Sequence, residues 1–363
     1  MNKLFSICST QHYDRAILKA WGYNGRFWAI FLVICTHFLS PNAEAHPVAI
    51  SDFLTALNTM TSFFSVPSLT FLAGFFCLGD LSKFRAQQLL TMIFITYFMF
   101  NLIVINVYSY NEVFLLEPAT MSWFLLSVIY WNCLIVFFEN IKYNIAISIL
   151  IAVVIGCTPK IGEFLSASRC FFFFPFFLVG YTMSKKKVLL TFNRSFSIFS
   201  ILLIYIITFF TMIDFIPPLL LWGRNSYAEL GISNQLGIVA RLAYYPCAFL
   251  AVFSVLSLVP QKVTCFTPLG KNSLYSYLGH GIVVLFLMDI GFYTQKINLT
   301  LEIFLILLAF VVDILMSHDK FKYFADFILR PKFLIKMFFI TDELDKKALK
   351  ENEYKTLDTN KTE

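Results

Sequence analysis

Long apolar stretches, separated by short polar or charged breaks, follow one another along most of the chain. Ten of them are long enough to cross a bilayer, whose hydrocarbon core of about 30 Å takes roughly 20 helical residues. They lie near residues 22–40, 57–79, 87–107, 119–138, 141–157, 169–184, 195–213, 234–258, 272–290 and 298–317. The stretches are continuously apolar and do not alternate, which disfavours a β-barrel. The predicted fold is an all-α, polytopic membrane bundle of about ten transmembrane helices.

The composition indicates that lipid is the solvent. Hydrophobic residues make up 58% of the chain and charged residues 14%, whereas soluble domains carry about 25% charged residues. The mean hydropathy of +0.73 leaves too little polar surface for a water-soluble core and excludes disordered, disulfide-rich and collagen-like proteins. The eight cysteines form no CxxC pair, so no metal or redox centre is predicted.

Basic residues are concentrated in alternate loops. Of the 28 Lys and Arg residues, 23 fall in the N-terminal segment, in residues 80–86, 139–142, 185–194 and 260–271, and in the tail from 318. The intervening loops hold four, and Arg241 lies within a predicted span. By the positive-inside rule this split predicts that both termini are cytoplasmic. The net charge of +6 is therefore a topology signal, and no nucleic-acid partner is predicted.

The chain divides into a membrane domain, residues 1–317, and a cytoplasmic tail, residues 318–363. No loop is long enough for a folded domain, so the chemistry must lie within the bundle. The N-terminus lacks a signal-peptide pattern and is expected to stay on the protein. In the tail, residues 320–340 mix phenylalanines with lysines and arginines, which predicts an amphipathic helix in the membrane interface that is broken at Pro331.

Ionisable residues inside predicted spans are candidates for function, because burying them in lipid costs several kcal/mol. Arg26 lies at the cytoplasmic edge of the first span, and His37 follows 11 positions later. Eleven residues make about three helical turns, so both side chains share one face, with His37 about 16 Å deeper, near the middle of the bilayer. A snorkelling arginine and a structural histidine would give the same pattern.

The ninth span carries a polar stripe. Ser273, Tyr277 and His280 follow one another at helical spacing, which places a hydroxyl, a phenol and an imidazole on one face. The stripe must face protein or water, and a seam that joins two helices is the alternative to a binding site.

Two arginines can bind an anionic group that enters from the side opposite the termini. Arg169 begins the sixth span and Arg241 lies about two turns inside the eighth. Each suits the pyrophosphate of a lipid-linked sugar, or serves only as an interface anchor. Glu302 and Asp313 in the tenth span are their possible partners. The sequence contains no HExxH, Walker A or GxSxG motif, so zinc proteolysis, NTP-driven transport and elbow-type serine hydrolysis lack their signatures.

Residues 24–37, Asn-Gly-Arg-Phe-Trp-Ala-Ile-Phe-Leu-Val-Ile-Cys-Thr-His, resemble the first span of acyltransferase family 3, the integral membrane O-acyltransferases, whose hallmark is Arg, ten residues, His. Four further segments resemble its fucose 4-O-acetylase-like branch: residues 67–75, 123–126, 168–181 and 270–280. Two positions depart from the family pattern. Ala73 replaces a serine, and the family's Arg-x-x-Arg is reduced to Arg85 with Gln88 in the second place.

The resemblance implies transfer of an acyl group, usually acetyl from acetyl-CoA, to a hydroxyl of a cell-envelope glycan such as a lipid-linked O-antigen, capsular or exopolysaccharide unit. It places the enzyme in the bacterial cytoplasmic membrane, with polysaccharide assembly proteins as possible partners. Acetyl-CoA is a co-substrate, and no bound cofactor is expected.

The resemblance also suggests roles for the candidate residues. Arg26, Lys83 and Arg85 would hold the phosphates of the acyl donor. His37 would act as general base or carry the acyl group transiently. The residues that would bind the acceptor or stabilise the oxyanion are Ser273, Tyr277, His280, Arg169 and Arg241.

Hydropathy alone favours a secondary transporter or a flippase for a lipid-linked sugar or small solute. A non-catalytic scaffold is a third possibility. The motifs favour the acyltransferase.

Overall fold

The protein is described by a computed structural model, which covers residues 8–40, 52–77, 79, 89–108, 118, 120–159, 164–211, 218–294 and 298–330. Lys83, Arg85 and the tail beyond residue 330 lie outside the described residues. The helices are α1 (Arg15–Leu39), α2 (Asp52–Thr61), α3 (Ser65–Phe75), α4 (Ile95–Tyr108), α5 (Trp123–Phe138), α6 (Asn144–Ile155), α7 (Ala167–Lys186), α8 (Arg194–Thr211), α9 (Asn234–Leu258), α10 (Phe266–Lys271), α11 (Ser273–Asp289), α12 (Leu299–Ser317) and α13 (Asp319–Leu329). A π-helical turn, Leu90–Phe94, leads into α4.

The prediction of a helical fold is confirmed, with one addition. Strands β1 (Cys8–His12) and β2 (Val188–Phe192) form a two-stranded antiparallel sheet, with Cys8 opposite Phe192. This sheet was not predicted, because each strand is short and its partner is far away in the chain.

Each of the ten apolar stretches overlaps a helix, but the second one is broken. Residues 62–64 form a tight turn between α2 and α3, with hydrogen bonds that reach back only three residues. Pro67 explains the break, because it has no N–H to donate to the carbonyl four residues earlier and therefore belongs in the first turn of a new helix.

Two helices in the described part of the chain, Asn234–Leu258 and Leu299–Ser317, have the length and apolarity needed to cross a membrane. Five shorter helices are also apolar: Met92–Val107, Trp123–Phe138, Asn144–Ile155, Arg194–Phe210 and Ser273–Asp289. The count of ten spans therefore stays a prediction. Exposed apolar faces fit a lipid environment. On α8 the exposed large apolar residues are Ile198, Phe199, Leu202, Leu203, Ile206, Ile207 and Phe210.

Contacts near the N-terminus join segments that the charge pattern assigns to the cytoplasm. The sheet joins the N-terminal segment to residues 188–192. The Asn24 side chain donates hydrogen bonds to the carbonyls of Pro260 and Lys262 at 2.8 and 2.9 Å. Lys185 and Tyr181 donate hydrogen bonds to Glu139 at 2.8 and 2.6 Å, which lowers the pKa of Glu139.

Contacts at the other helix ends join segments assigned to the opposite side. The Tyr227 amide donates to the Gly156 carbonyl at 2.8 Å, and the Ser168 hydroxyl donates to the Gly223 carbonyl at 2.6 Å. The Tyr293 hydroxyl donates to Phe38. None of these hydrogen bonds joins loops from different sides, so they agree with the predicted alternation.

The central helix of the bundle is α7, which packs closely against α3. Its residues 172–178 are all buried, as expected for a helix that is apolar all round. Two glycines permit the crossing. A Cβ at Gly74 would overlap the carbonyl oxygen of Phe177, and a Cβ at Gly180 would overlap that of Phe71. Small residues at such points let helix backbones approach in membranes.

Helix α13 begins at Asp319, one residue before the predicted start of the interfacial helix. It exposes Tyr323, Phe324 and Phe327 and is held to the bundle by Arg330, whose Nε donates to the Thr96 hydroxyl at 3.1 Å. The predicted continuation to residue 340 lies outside the described residues.

Candidate active site

Two histidines meet inside the bundle. Helix α1 carries His37 in its last turn, and α11 carries His280 near its middle. Their ring centroids lie 5.3 Å apart, with the ring planes tilted by 44°. Helix α10, which leads into α11, also approaches α1 closely, because a Cβ at Gly270 would overlap the carbonyl oxygen of Tyr23. Two candidates from distant parts of the sequence thus form one imidazole pair.

Hydrogen bonds fix the tautomer of both rings. Nδ1 of His37 lies 2.8 Å from the Val33 carbonyl oxygen, and Nδ1 of His280 lies 3.1 Å from that of Ser276. Because a carbonyl can only accept, we assign the proton of each neutral ring to Nδ1. Each Nε2 then carries a lone pair and can accept a proton.

The two rings differ in accessibility. The His280 side chain is fully buried, and its Nε2 has no hydrogen-bond partner among the described residues. The His37 side chain is half-buried, so His37 is the member of the pair that a substrate reaches more easily.

Tyr277 and Arg169 lie beside the pair. The Tyr277 ring centroid is 5.8 Å from that of His280, and its hydroxyl donates to the Met121 carbonyl at 2.9 Å. The charge of Arg169 acts on both His37 and Tyr277. The Arg169 guanidinium carbon lies 4.9 Å from the centre of the Trp123 ring. The structure thus brings four of the predicted site residues together.

Arg26 lies three turns below His37 on α1 and is half-buried. Its guanidinium carbon stands 4.0 Å from the centre of the Phe76 ring and 6.0 Å from that of Tyr23. This is the geometry of a cation held on aromatic faces, which leaves the edge of the guanidinium for hydrogen bonds. Lys83 and Arg85, the other predicted donor-binding residues, lie outside the described residues.

Arg241 belongs to a separate cluster. Its side chain is fully buried, and its terminal nitrogens donate to the carbonyls of Ala152 and Asn225 at 3.0 and 2.9 Å. The guanidinium carbon also lies 5.2 Å from the centre of the Phe172 ring and 4.8 Å from that of Tyr227. These contacts favour a structural role, and acceptor binding by Arg241 stays a prediction.

Ser273, the remaining candidate, is buried at the first residue of α11, seven positions before His280. The structure places it about 10 Å along the helix from the pair, at 1.5 Å rise per residue. Its role in binding the acceptor likewise stays a prediction.

Asp313 has partners that the sequence did not suggest. Its Oδ1 accepts hydrogen bonds from the hydroxyls of Ser276 and Ser317 at 2.5 and 3.4 Å, and no arginine among the described residues donates to it. Trp123 was noted only as part of the family-like segment 123–126, yet its ring lies against the Arg169 guanidinium. Asp313 stood out in the sequence as a carboxyl group in an apolar run, and Trp123 could have been found as an amphipathic residue in another, but the partners of both are non-local.

The pair lies nearer the helix ends that the predicted topology assigns to the side opposite the termini. His37 is in the last turn of the outward-running α1, while Trp123 and Arg169 are in the first turns of α5 and α7, which run inward. In the predicted topology, Arg26 lies on the cytoplasmic side of His37 on the same face of α1. Because His37 is in the last turn of α1, that topology places it nearer the opposite surface than the middle of the bilayer, where the sequence alone put it.

Comparison with known proteins gives one match. The family model described as an acyltransferase domain, that of acyltransferase family 3, matches residues 24–318, which include every described site residue. No curated protein matches the chain significantly. No solved structure matches it significantly either.

Proposed function

The chain belongs to acyltransferase family 3, a family of membrane acyltransferases, and from this premise we propose that it is an O-acetyltransferase of the fucose 4-O-acetylase-like branch. It moves an acetyl group from acetyl-CoA to a hydroxyl of a cell-envelope glycan, such as a lipid-linked O-antigen, capsular or exopolysaccharide unit. The bacterial cytoplasmic membrane is its proposed location, where polysaccharide assembly proteins are possible partners.

The observation that carries the proposal is the pair of His37 and His280, 5.3 Å apart. Nε2 of the accessible His37 takes the proton of the acceptor hydroxyl as its oxygen attacks the thioester carbonyl. The carbon–sulfur bond then breaks, and the CoA thiolate recovers the proton from the imidazolium. Nε2 of His280 can accept a hydrogen bond from another hydroxyl of the acceptor sugar, since the attacking hydroxyl gives its one proton to His37. The reaction is balanced, because the acetyl group moves from the CoA sulfur to the acceptor oxygen and the hydroxyl proton moves from that oxygen to the sulfur.

Arg26 serves the donor in this scheme. CoA is a cytoplasmic polyanion, and the guanidinium can bind its phosphates while the pantetheine arm follows the Arg26 face of α1. The distance of about 16 Å between Arg26 and His37 along the helix, from 11 residues of rise, suits an extended arm of that kind.

The acceptor approaches from the opposite side. Arg169 and Trp123 occupy the helix ends there, and the charge of Arg169 acts on His37. A guanidinium at this point can bind a phosphate of a lipid-linked sugar, and it also favours a negative charge that develops on the thioester oxygen.

The proposal is tested by supplying membranes that contain the protein with acetyl-CoA labelled in the acetyl group and with the host's lipid-linked glycans. We expect label in the glycan as a base-labile ester, and none with membranes that lack the protein. Donor consumption without glycan labelling would point to another acceptor. No donor consumption, together with uptake of a solute, would contradict the proposal and favour a transporter.

Replacing Arg26 by alanine is expected to raise the KM for acetyl-CoA by about 10-fold, with a smaller change in kcat, because the lost contact is made with bound substrate as well as in the transition state. The matched control is Arg15→Ala, which removes an exposed arginine at the start of the same helix. Initial rates at varied acetyl-CoA concentrations measure both constants. An unchanged KM would remove Arg26 from the donor site.

A further inference from the structure

Behind the histidine pair lies a buried carboxyl group that the proposed reaction does not use. Asp313 is on α12, which packs along both α1 and α11, and its side chain has no exposed surface. Its Oδ1 accepts the Ser276 hydroxyl at 2.5 Å. Its Oδ2 has no hydrogen-bond partner among the described residues.

Ser276 connects this carboxyl to the pair. Its hydroxyl donates to Asp313, and its carbonyl oxygen accepts the hydrogen bond from Nδ1 of His280 at 3.1 Å. Ser276 and His280 are one helical turn apart on α11. The same residue is thus fixed by Asp313 on one side and fixes the tautomer and direction of the imidazole on the other.

The helix that carries Asp313 also packs against the other histidine-bearing helix. Helix α12 contacts α1 as well as α11, and the ring centroids of Phe310 on α12 and Phe31 on α1 lie 5.5 Å apart. Asp313 is therefore carried by an element that touches both helices that present the imidazoles.

A carboxyl group is an expensive way to fill this position. Burying an ionisable group in a membrane costs several kcal/mol, and well-packed apolar residues usually replace buried polar groups at no loss of stability. Packing alone therefore gives no reason for an aspartate here. A hydrogen-bond acceptor aimed at Ser276 does give one, because partners that orient a functional imidazole are needed for its geometry.

We propose that Asp313 is a positioning residue of the acyl-transfer site, acting through Ser276 to hold His280 at its distance and orientation beside His37. The inference rests on the proposed function of the histidine pair. It assigns to Asp313 the role of a hydrogen-bond acceptor, which an asparagine carbonyl can also fill.

Kinetics of three variants test the proposal. Asp313→Ala and Ser276→Ala are expected to lower kcat for acetyl transfer about 10- to 100-fold, since small displacements of catalytic groups have effects of this size. The KM for acetyl-CoA should stay unchanged, because Arg26 lies three helical turns away from the pair on α1. Asp313→Asn should keep kcat within about threefold of wild type, since its amide oxygen can accept the same hydrogen bond.

The matched control is Ser254→Ala, which removes a buried serine of α9 that has no contact with the pair in the described hydrogen bonds, and wild-type kinetics are expected. Wild-type kcat in both alanine variants would overturn the proposal. So would an Asp313→Asn variant as inactive as Asp313→Ala, because the charge and not the hydrogen bond would then matter. If Asp313→Ala fails to fold, the kinetics of Ser276→Ala and Asp313→Asn still test the proposal.

A second measurement does not depend on the substrate. Nitrogen NMR of protein labelled at its five histidines reports which ring nitrogen carries the proton, and His280→Gln assigns the His280 signals. The backbone carbonyl of Ser276 is kept in every variant, so we expect Nδ1-protonated His280 throughout, with wild-type ring signals in Asp313→Asn and shifted or broadened ring signals in Ser276→Ala and Asp313→Ala, where the ring is held less firmly. Ring signals that are unchanged in both alanine variants contradict the role of Asp313. An absence of acetyl transfer by wild type contradicts the proposed function instead.

Discussion

Replacing His37 by alanine is expected to lower acetyl transfer by about 10²- to 10⁴-fold, the usual contribution of a general base. The loss should appear in kcat, because the imidazole acts on the proton that moves in the transition state. The protein should still fold, since the side chain is half-buried and its hydrogen bond goes to a carbonyl of its own helix. Label transferred from acetyl-CoA to glycan measures the rate, and yield and thermal unfolding of the purified protein measure folding.

The control is His318→Ala, which removes an exposed imidazole just after α12 and should leave transfer unchanged. A His37→Ala protein that folds and transfers acetyl at the wild-type rate would contradict the role of His37. Incubation of wild type with labelled acetyl-CoA and no acceptor separates the two roles that the sequence left open. Label on the protein that is lost in His37→Ala indicates a covalent acyl carrier, and unlabelled protein indicates a base.

The helices were predictable because their signal is local. Continuous apolar runs predicted helices at all ten places, and alternating basic loops predicted which loops lie on the same side. Pro67 indicates that a new helix begins near it. The position of the break itself depends on the turn at residues 62–64, which the sequence pattern did not predict. The sheet of β1 and β2 was missed, because its pairing joins residues about 180 positions apart and five-residue strands carry little pattern.

The candidate site was predictable in its residue types but not in its arrangement. His37 and His280 stand out in apolar runs, and only the packing of α1 on α11 makes them a pair. Arg169 and Arg241 look alike in the sequence, yet one lies near the pair while the other donates to Ala152 and Asn225. Since these partners are non-local, spacing along the chain could not separate the two arginines.

Replacing Gly180 by valine is expected to prevent α3 and α7 from packing. The new Cβ would overlap the carbonyl oxygen of Phe71, which belongs to a helix backbone and cannot rotate away. Overpacking a well-packed core costs about 1–3 kcal/mol and more where backbone must move, so we expect a loss of about 3 kcal/mol or more in unfolding free energy. Because α7 is the central helix and carries Arg169, activity should be lost together with folded protein.

Gly74→Val tests the same crossing from the other helix, since its Cβ would overlap the carbonyl oxygen of Phe177. Gly231→Asn is the matched control: nothing lies within 4 Å of a Cβ there, and the φ of +70° is one that asparagine tolerates. Thermal unfolding and membrane yield should fall sharply in both valine variants and stay at wild type in the control. Valine variants that unfold at the wild-type temperature would mean that the two helices do not cross at these glycines. Such a result would also remove the support for placing Arg169 near His37, because Arg169 is on α7 and the α3–α7 contact helps to fix α7 relative to α1, which carries His37.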